Sequence, residues 1–392
     1  MMNARKLRTA YLGPEASFSH QAAVEALPQT EAVPLPSFKA ILKALEELGP
    51  DSEDPYDYAV LPVENSTNGS VVQALDLLAQ CGLDSKTCSY PDIEVVDEHY
   101  LEVHHCLFVS RAWATVTLKE DEILSLPGYE HDDPRKTAVN GAKNEEVRDH
   151  HSVPAAEQGR LEKTLKKLSV KMLYTHPQVW GQCNNILSAL LPPGHVERID
   201  MSSTSAAAAF VATASSESNA GIAAISSSLA GAKHSKELVC IASNIEDEPG
   251  ANTTRFLVLR NRSRAEKMSV LPAEVAREDA CVKSLWTFTI AHSIPGSLAT
   301  TLAVFAKHGF NLSAIQSRPR PKSKGPILQN MSPTSQRKQD RNWQYVFFVE
   351  CLHSTVLGTL GSVQAEPLNL LQDLKGVTEQ VSLLGSWIDR LS

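Results

Sequence analysis

Apolar and polar positions follow a repeating rhythm along the first two-thirds of this chain. A short apolar run is followed by a polar turn rich in Gly, Ser or Pro, and then by a stretch with helical spacing. "TAYLGPEASFSHQAAVEAL" is the first instance, a strand, a glycine turn and a helix capped by Ser17 or Ser19. "YAVLPVENSTNGSVVQALDLLAQ" repeats it, with a strand over 58–63 and a helix over 71–79. A third apolar run, "HCLFVS", follows at 105–110. "VKMLYTHPQVWGQCNNILSAL", "VERIDMSSTSAAAAFVATAS" and "AGIAAISSSLAGAK" continue the series, and "TRFLVLR" closes it. Such repeats predict an α/β fold with a largely parallel sheet, whose ligand cleft lies where strand C-termini meet helix N-termini.

Two stretches break the rhythm. Residues 119–170 are charged, carry few large apolar side chains and read as an insertion with one short helix. Residues 261–282, rich in Arg and Glu, read as a linker. Beyond it, "SLWTFTIAHSIPGSLATTLAVFAKHGFNLSAIQSRPRP" gives strand, Pro-Gly turn, helix, glycine stop and strand. A basic loop at 322–342 interrupts this second module, and "WQYVFFVECL" resumes it as a strand. The expected domains are therefore 1–260, the linker 261–282, and 283–392.

Composition narrows the classes of function. The 392 residues are 42% hydrophobic and 21% charged, with a net charge of −8, which argues against non-specific nucleic-acid binding. No apolar run reaches about 18 residues, so no membrane span is expected. The N-terminus carries no apolar stretch behind its basic residues, so no signal peptide is expected and the cytoplasm is the anticipated compartment. The seven cysteines are scattered without a CxxC pair, the pattern of reduced thiols. The thirteen histidines show no HExxH spacing, and no metal is expected.

Four polar turns, "GPEASFS", "ENSTNG", "HPQVWGQC" and "SSTSAAAA", lead into or flank predicted helix starts. Each can be a plain helix cap. Together they describe a pocket of hydroxyls and amides suited to a small anion with several oxygens. There is no GxxxxGK[ST] loop, no GxGxxG fingerprint and no GxSxG elbow, so nucleotide chemistry and Ser–His–Asp catalysis are poor candidates. A reaction needing orientation, anion binding and one proton donor fits, with no cofactor.

In this order, "GPEASFSHQAA", "PVENSTNGS", "HPQVWGQC", "STSAAAAF" and "NTTRFLVL" resemble the prephenate dehydratases, and "PGSLATTLAVFAKHGFNLSAIQSRP" resembles their C-terminal ACT-type amino-acid-sensing domain. The resemblance implies a two-lobed, periplasmic-binding-protein-like catalytic domain with an interlobe cleft, plus an α+β, ferredoxin-like ACT domain. It implies conversion of prephenate to phenylpyruvate, CO2 and water, with phenylalanine as allosteric effector and a homodimer or homotetramer as the assembly. The family's catalytic threonine maps onto Thr254, with Glu64 either a more acidic neighbour behind it or a structural residue. Asn65, Ser66, Thr67, Gln182, Ser203, Thr204 and Ser205 are the implied substrate contacts, with Phe256 of the same triplet. Arg255, pointing away from Thr254 along a strand, pairs either with substrate or with a structural carboxylate. The implied effector site comprises Pro295, Gly296, Ser297, Leu298 and Ala299, with Gln316, Ser317, Arg318 and Pro319. Gln316 stands where the family motif begins with Glu, and Ser202 where some relatives carry an acid. Arogenate dehydration and a non-catalytic amino-acid sensor are the competing readings.

Overall fold

The computed structural model describes residues 6–47, 55–82, 88–127, 155–192, 194–214, 221–248, 250–263, 281–320, 344–354 and 365–391. The expected loop at 322–342, most of the linker and the middle of the 119–170 insertion lie outside them. In chain order the elements begin with β1 (Arg8–Leu12), α1 (Phe18–Ala26), β2 (Glu31–Leu35), α2 (Phe38–Glu46) and β3 (Tyr58–Asn65). They continue with β4 (Gly69–Ser70), α3 (Val72–Leu78), β5 (Ile93–Glu102), β6 (Cys106–Ser110), α4 (Arg111–Thr117) and α5 (Glu120–Leu124). Next come α6 (Ala155–Leu168), β7 (Met172–Thr175), α7 (Pro177–Gln182), α8 (Asn184–Leu190), β8 (Glu197–Asp200) and α9 (Thr204–Thr213). After β9 (Ile222–Ser226), α10 (Ser228–Lys233) and β10 (Leu238–Ala242) comes β11 (Thr253–Asn261). The chain ends with β12 (Cys281–Thr289), α11 (Ser297–Lys307), β13 (Asn311–Pro319), β14 (Tyr345–Ser354), α12 (Ala365–Lys375) and β15 (Gln380–Ile388).

The chain divides into two compact units, each with its own sheet. The first comprises Met1–Leu12, Ala22–Tyr100 and Arg255–Ser392; the second comprises Gly13–Gln21 and Leu101–Thr254. The α/β class is as predicted, but the sheets are mixed where a largely parallel one was expected, because the C-terminal strands and β6 pair antiparallel.

In the first unit the strand order is β13-β14-β12-β15-β5-β11-β3-β1-β2, with β4 paired to β3. β1 runs parallel to both β2 and β3. The apolar side of α2 presents Phe38, Ile41, Leu42 and Leu45 at helical spacing and buries them against this sheet. The C-terminal strands pair antiparallel in the order β13-β14-β12-β15, and with α11 and α12 they give the ferredoxin-like β-α-β-β-α-β connection. Trp286, Phe288 and Phe305 pack with Leu370 and Leu374 on one face of this module. Its other face adds Leu285, Val346, Phe348 and Trp387 to the core that also holds Leu257 and Leu75. The module joins the rest of the sheet where β15 meets β5 at Gly385 and Val95. A Cβ on Gly385 would lie 1.9 Å from the Val95 carbonyl oxygen, so the join requires glycine.

The second unit has the order β10-β6-β9-β7-β8, with β7 parallel to β8 and β9 and with β6 antiparallel to β9 and β10. Alternation along its strands feeds two cores. Leu107, Val109, Leu173 and Ile225 face one, while Phe108, Tyr174 and Ala224 face the other. The charged stretch holds more structure than its composition suggests. Leu161, Leu165 and Leu168 of α6 are buried in the first of these cores, and Ile123 of α5 joins them.

Candidate active site

Within the second unit, the parallel strands β7, β8 and β9 end at Thr175, Asp200 and Ser226, and a helix begins just after each. Those helix starts are capped by neutral groups. Ser203 accepts a hydrogen bond from the Ala206 amide at 3.0 Å, and its Oγ lies 3.1 Å from that of Ser205. Ser227 accepts from the Ala230 amide at 3.2 Å and donates to the Ala16 carbonyl at 3.3 Å. His176 caps α7 through its Nδ1, and burial holds its pKa below the usual histidine value. Thr204 and Ser205 are buried. Ser17 takes the expected capping role at α1, accepting from the His20 amide at 3.3 Å.

Gln182, at the end of α7, is held in a buried polar chain. Its side-chain oxygen lies 2.8 Å from His105 Nε2. The His105 amide donates to Glu246 Oε2 at 2.9 Å, and His104 Nδ1 contacts Glu246 Oε1 at 2.7 Å. Burial keeps the His105 pKa low, so the neutral ring donates from Nε2 to the Gln182 side-chain oxygen. The Phe18 ring packs edge-on against His105 at 5.9 Å, which ties the start of α1 to the end of α7. In sequence His105 is only the second of two adjacent histidines; its place in the apolar run "HCLFVS" is the signal for a buried, partnered ring.

Thr254 is the second residue of β11 and the last of the second unit; Arg255, next along, belongs to the first. Arg255 is buried, and its Nε lies 2.9 Å from Glu98 Oε2 while Nη2 lies 2.5 Å from Glu350 Oε1. Glu64 stands farther off, 3.8 Å from Nη1, with its side chain 45% exposed. Burial works against the guanidinium's charge, but the Glu350 and Glu98 carboxylates outweigh it and hold the arginine above its usual pKa. Glu98 also takes Lys283 Nζ at 2.7 Å. Glu98, Lys283 and Glu350 belong to no motif in the sequence; Glu350, within "FFVECL", is a charge inside an apolar strand run and so demands a partner.

The "ENS" turn organises itself. Asn65 Oδ1 accepts from the Thr67 and Asn68 amides at 3.1 and 2.9 Å, while Ser66 and Thr67 are exposed. Phe256 is 1% exposed and belongs to the interior of the first unit. In the C-terminal module, Gly296 adopts φ +85° just before α11, and the Ser297 hydroxyl donates to the Ile294 carbonyl at 2.9 Å. Pro295 and Gly296 form the turn there, and Ser297, Leu298 and Ala299 the first helical residues. Gln316 to Pro319 lie on β13, whose Arg318 pairs with Asp76 at 2.5 Å. A cavity of about 40 Å³ opens where Glu64, Arg255, Gln316 and Glu350 converge. The structure thus brings the Gln316 position and the Glu64–Arg255 pair to one place inside the first unit.

Comparison with known proteins gives the family. The sequence matches the family described as "Prephenate dehydratase" over residues 9–127 and 150–264. A probable prephenate dehydratase of Saccharomyces cerevisiae is 30% identical over 364 residues, covering 89% of this chain and 88% of the relative. The chloroplastic arogenate dehydratase/prephenate dehydratase 1 of Arabidopsis thaliana is 28% identical over 88% of this chain, which spans 64% of that relative. Among solved structures, the prephenate dehydratase of Arthrobacter aurescens in complex with L-Phe shares the fold, with a TM-score of 0.61 at 19% identity over 98% of this chain and 90% of that one.

Proposed function

Because the chain belongs to the prephenate dehydratase family, we propose that it converts prephenate to phenylpyruvate, CO2 and water. The ring carboxylate leaves as CO2, and its bonding electron pair enters the ring as the carbon–oxygen bond to the hydroxyl breaks on the opposite side. The departing hydroxide takes up one proton and leaves as water. Aromatisation drives the step, so the protein has to orient the substrate, hold the surviving side-chain carboxylate and hydrogen-bond the leaving oxygen. Positioned proton donation of this kind is typically worth about 10²–10⁴-fold.

The observation that carries the assignment of Thr254 is the clamp on its neighbour. Arg255 is gripped by Glu98 and Glu350, and alternation along β11 turns the Thr254 hydroxyl to the opposite face from that ion pair. Arg255 accordingly acts as a structural cation. Thr254 serves as donor to the leaving oxygen, and Glu64, 3.8 Å from Arg255, takes the structural alternative as a member of that cluster. Ser203, Thr204, Ser205 and the side-chain amide of Gln182 supply uncharged donors to substrate oxygens. Ser66 and Thr67 add hydroxyls from the turn that Asn65 holds. Neutral donors suit this chemistry, because a strong cation on the ring carboxylate would stabilise the ground state and slow its loss as CO2.

The C-terminal module is the proposed seat of L-phenylalanine, supported by the turn at Gly296 and Ser297, and the L-Phe complex of the Arthrobacter aurescens protein supports the identity of the effector. A dimer or tetramer in the cytoplasm completes the reading; among the described residues no helix is long and apolar enough to cross a membrane. The name of the Arabidopsis relative supports arogenate as a second substrate. The test is turnover of prephenate and of arogenate, with phenylpyruvate or phenylalanine followed as product. Thr254→Val should keep KM near the wild-type value and lower kcat by about 10²–10⁴-fold. Wild-type turnover in that variant would remove Thr254 from the mechanism.

A further inference from the structure

Arg255 divides its guanidinium among three carboxylates contributed by three separate stretches of chain. Glu98 comes from β5, Glu350 from β14 of the C-terminal module, and Glu64 from the end of β3. The first two are in hydrogen-bonding contact, and the third waits at 3.8 Å. Charge balance alone does not require Glu350. Glu98 lies against both Arg255 and Lys283, and Lys283 also has Asp389 at 2.9 Å. The cluster therefore holds two cations, Arg255 and Lys283, against three carboxylates even before Glu64 is counted.

Alternation along β14 shows what Glu350 is placed to sense. Val349 and Cys351 point into the core beneath α11 and α12, so Glu350 shares the opposite face with Phe348 and Val346. Glu350 sits across from Ala314 of β13, two residues from Gln316 on the same face, and both Gln316 and Glu350 line the cavity with Arg255 and Glu64. A small shift of β13 or β14 therefore changes the distance between Glu350 and Arg255. The module meets β5 at the single register pair Gly385–Val95, which leaves such a shift little opposed by backbone pairing.

We infer that Glu350 is a positioning residue through which the C-terminal module acts on the dehydration step. With Glu350 on Arg255, the strand bearing Thr254 is held. With Glu350 withdrawn, Arg255 turns to Glu64, and the strand bearing Thr254 loses that hold. An effector bound on the module need only favour one arrangement to change turnover, and the coupling is reciprocal for binding. This inference rests on the proposed activity and effector, and its experiment separates the two.

The experiment compares full-length wild type, Glu350→Gln and Glu350→Asp. It measures kcat and KM for prephenate, L-phenylalanine binding by calorimetry, and hydrogen exchange across residues 253–257 with and without L-phenylalanine. Glu350→Gln should lower kcat by about tenfold with KM within about twofold. It should still bind L-phenylalanine, while the effector's influence on rate and on exchange at 253–257 disappears. Glu350→Asp, which keeps the charge, should recover part of both, and it carries the test if the glutamine variant fails to fold. Wild-type kcat and effector response in Glu350→Gln would overturn the inference, as would equal losses in Gln and Asp variants. If wild type turns over neither prephenate nor arogenate, the activity reading fails, and the exchange response at 253–257 alone decides the coupling. If wild type binds no L-phenylalanine, the effector reading fails, and kcat in the two variants decides whether Glu350 positions the strand.

Discussion

Glu98 in the first unit and Glu246 in the second are both buried, yet the chain pairs them with different kinds of partner. Glu98 meets Arg255 and Lys283, whose charges the surrounding carboxylates hold well above neutrality. Glu246 meets His104 and the His105 amide, and a histidine's charge comes and goes near neutral pH. The first arrangement is permanent and ties strands far apart in sequence; the second is lighter and can be tuned. The donors proposed to meet substrate in the second unit are likewise uncharged, which keeps fixed charge out of the chemistry.

Removing the carboxylate at the centre of the first arrangement should have the largest effect. Glu98→Gln leaves two buried cations short of their shared partner, and breaking a buried pair in this way costs about 3–5 kcal/mol. Urea denaturation followed by hydrogen exchange in β5 and β11 checks it. A loss below about 1 kcal/mol would mean that Glu350 and Asp389 suffice and that Glu98 is dispensable.

The second unit relies more on close packing than on charge. Gly231 of α10 lies under the Phe108 ring, and a Cβ there would come within 2.3 Å of it. Gly231→Ala should cost about 1–3 kcal/mol, the usual range for overpacking. The loss should be confined to exchange protection in β6, β9 and α10. An equal loss in β5 and β11 would show that the two units do not unfold separately and would blunt the comparison.

These contrasts were unequally visible in the sequence. The strand–turn–helix rhythm was legible because alternation and capping are local, and Ser17 and Ser203 cap where the pattern placed them. α6 was legible in part, since Leu161, Leu165 and Leu168 recur at helical spacing, but the charged residues around them mask that period. The Arg255 cluster was not, because its partners stand 157 and 95 residues away and no local rule couples them. Gly385 carried a faint signal, a glycine inside an apolar strand, which marks a close backbone approach. Of the candidate site, the neutral donors could be read from turns and caps, whereas the chain from His105 to Gln182 needed the fold to bring residues 77 positions apart together.

The smallest predicted effect tests the titratable arrangement directly. The hydrogen bond that His104 donates to Glu246, aided by the carboxylate's charge, holds the His104 pKa above its ordinary 6.5 despite partial burial. For Glu246, burial pushes the other way, but His104 and the backbone amides prevail and keep the carboxyl below its ordinary 4.5. A histidine with a raised folded pKa contributes stability that is complete below the unfolded value and lost as pH rises through the folded one. A carboxylate with a lowered pKa contributes stability above its unfolded value and loses it as pH falls through the folded one. The pair therefore contributes most between pH 4.5 and 6.5. His104→Asn keeps a donor but removes the titration, and taking the difference from wild type cancels the opposing effect of His105, which burial keeps neutral. His104 is 40% exposed, so screening limits the difference to about 1 kcal/mol at most. Denaturant midpoints at several pH values should show wild type and variant farthest apart inside that window and converging above neutrality. A gap that widens as pH rises would mean that Glu246 is held by the His105 amide alone.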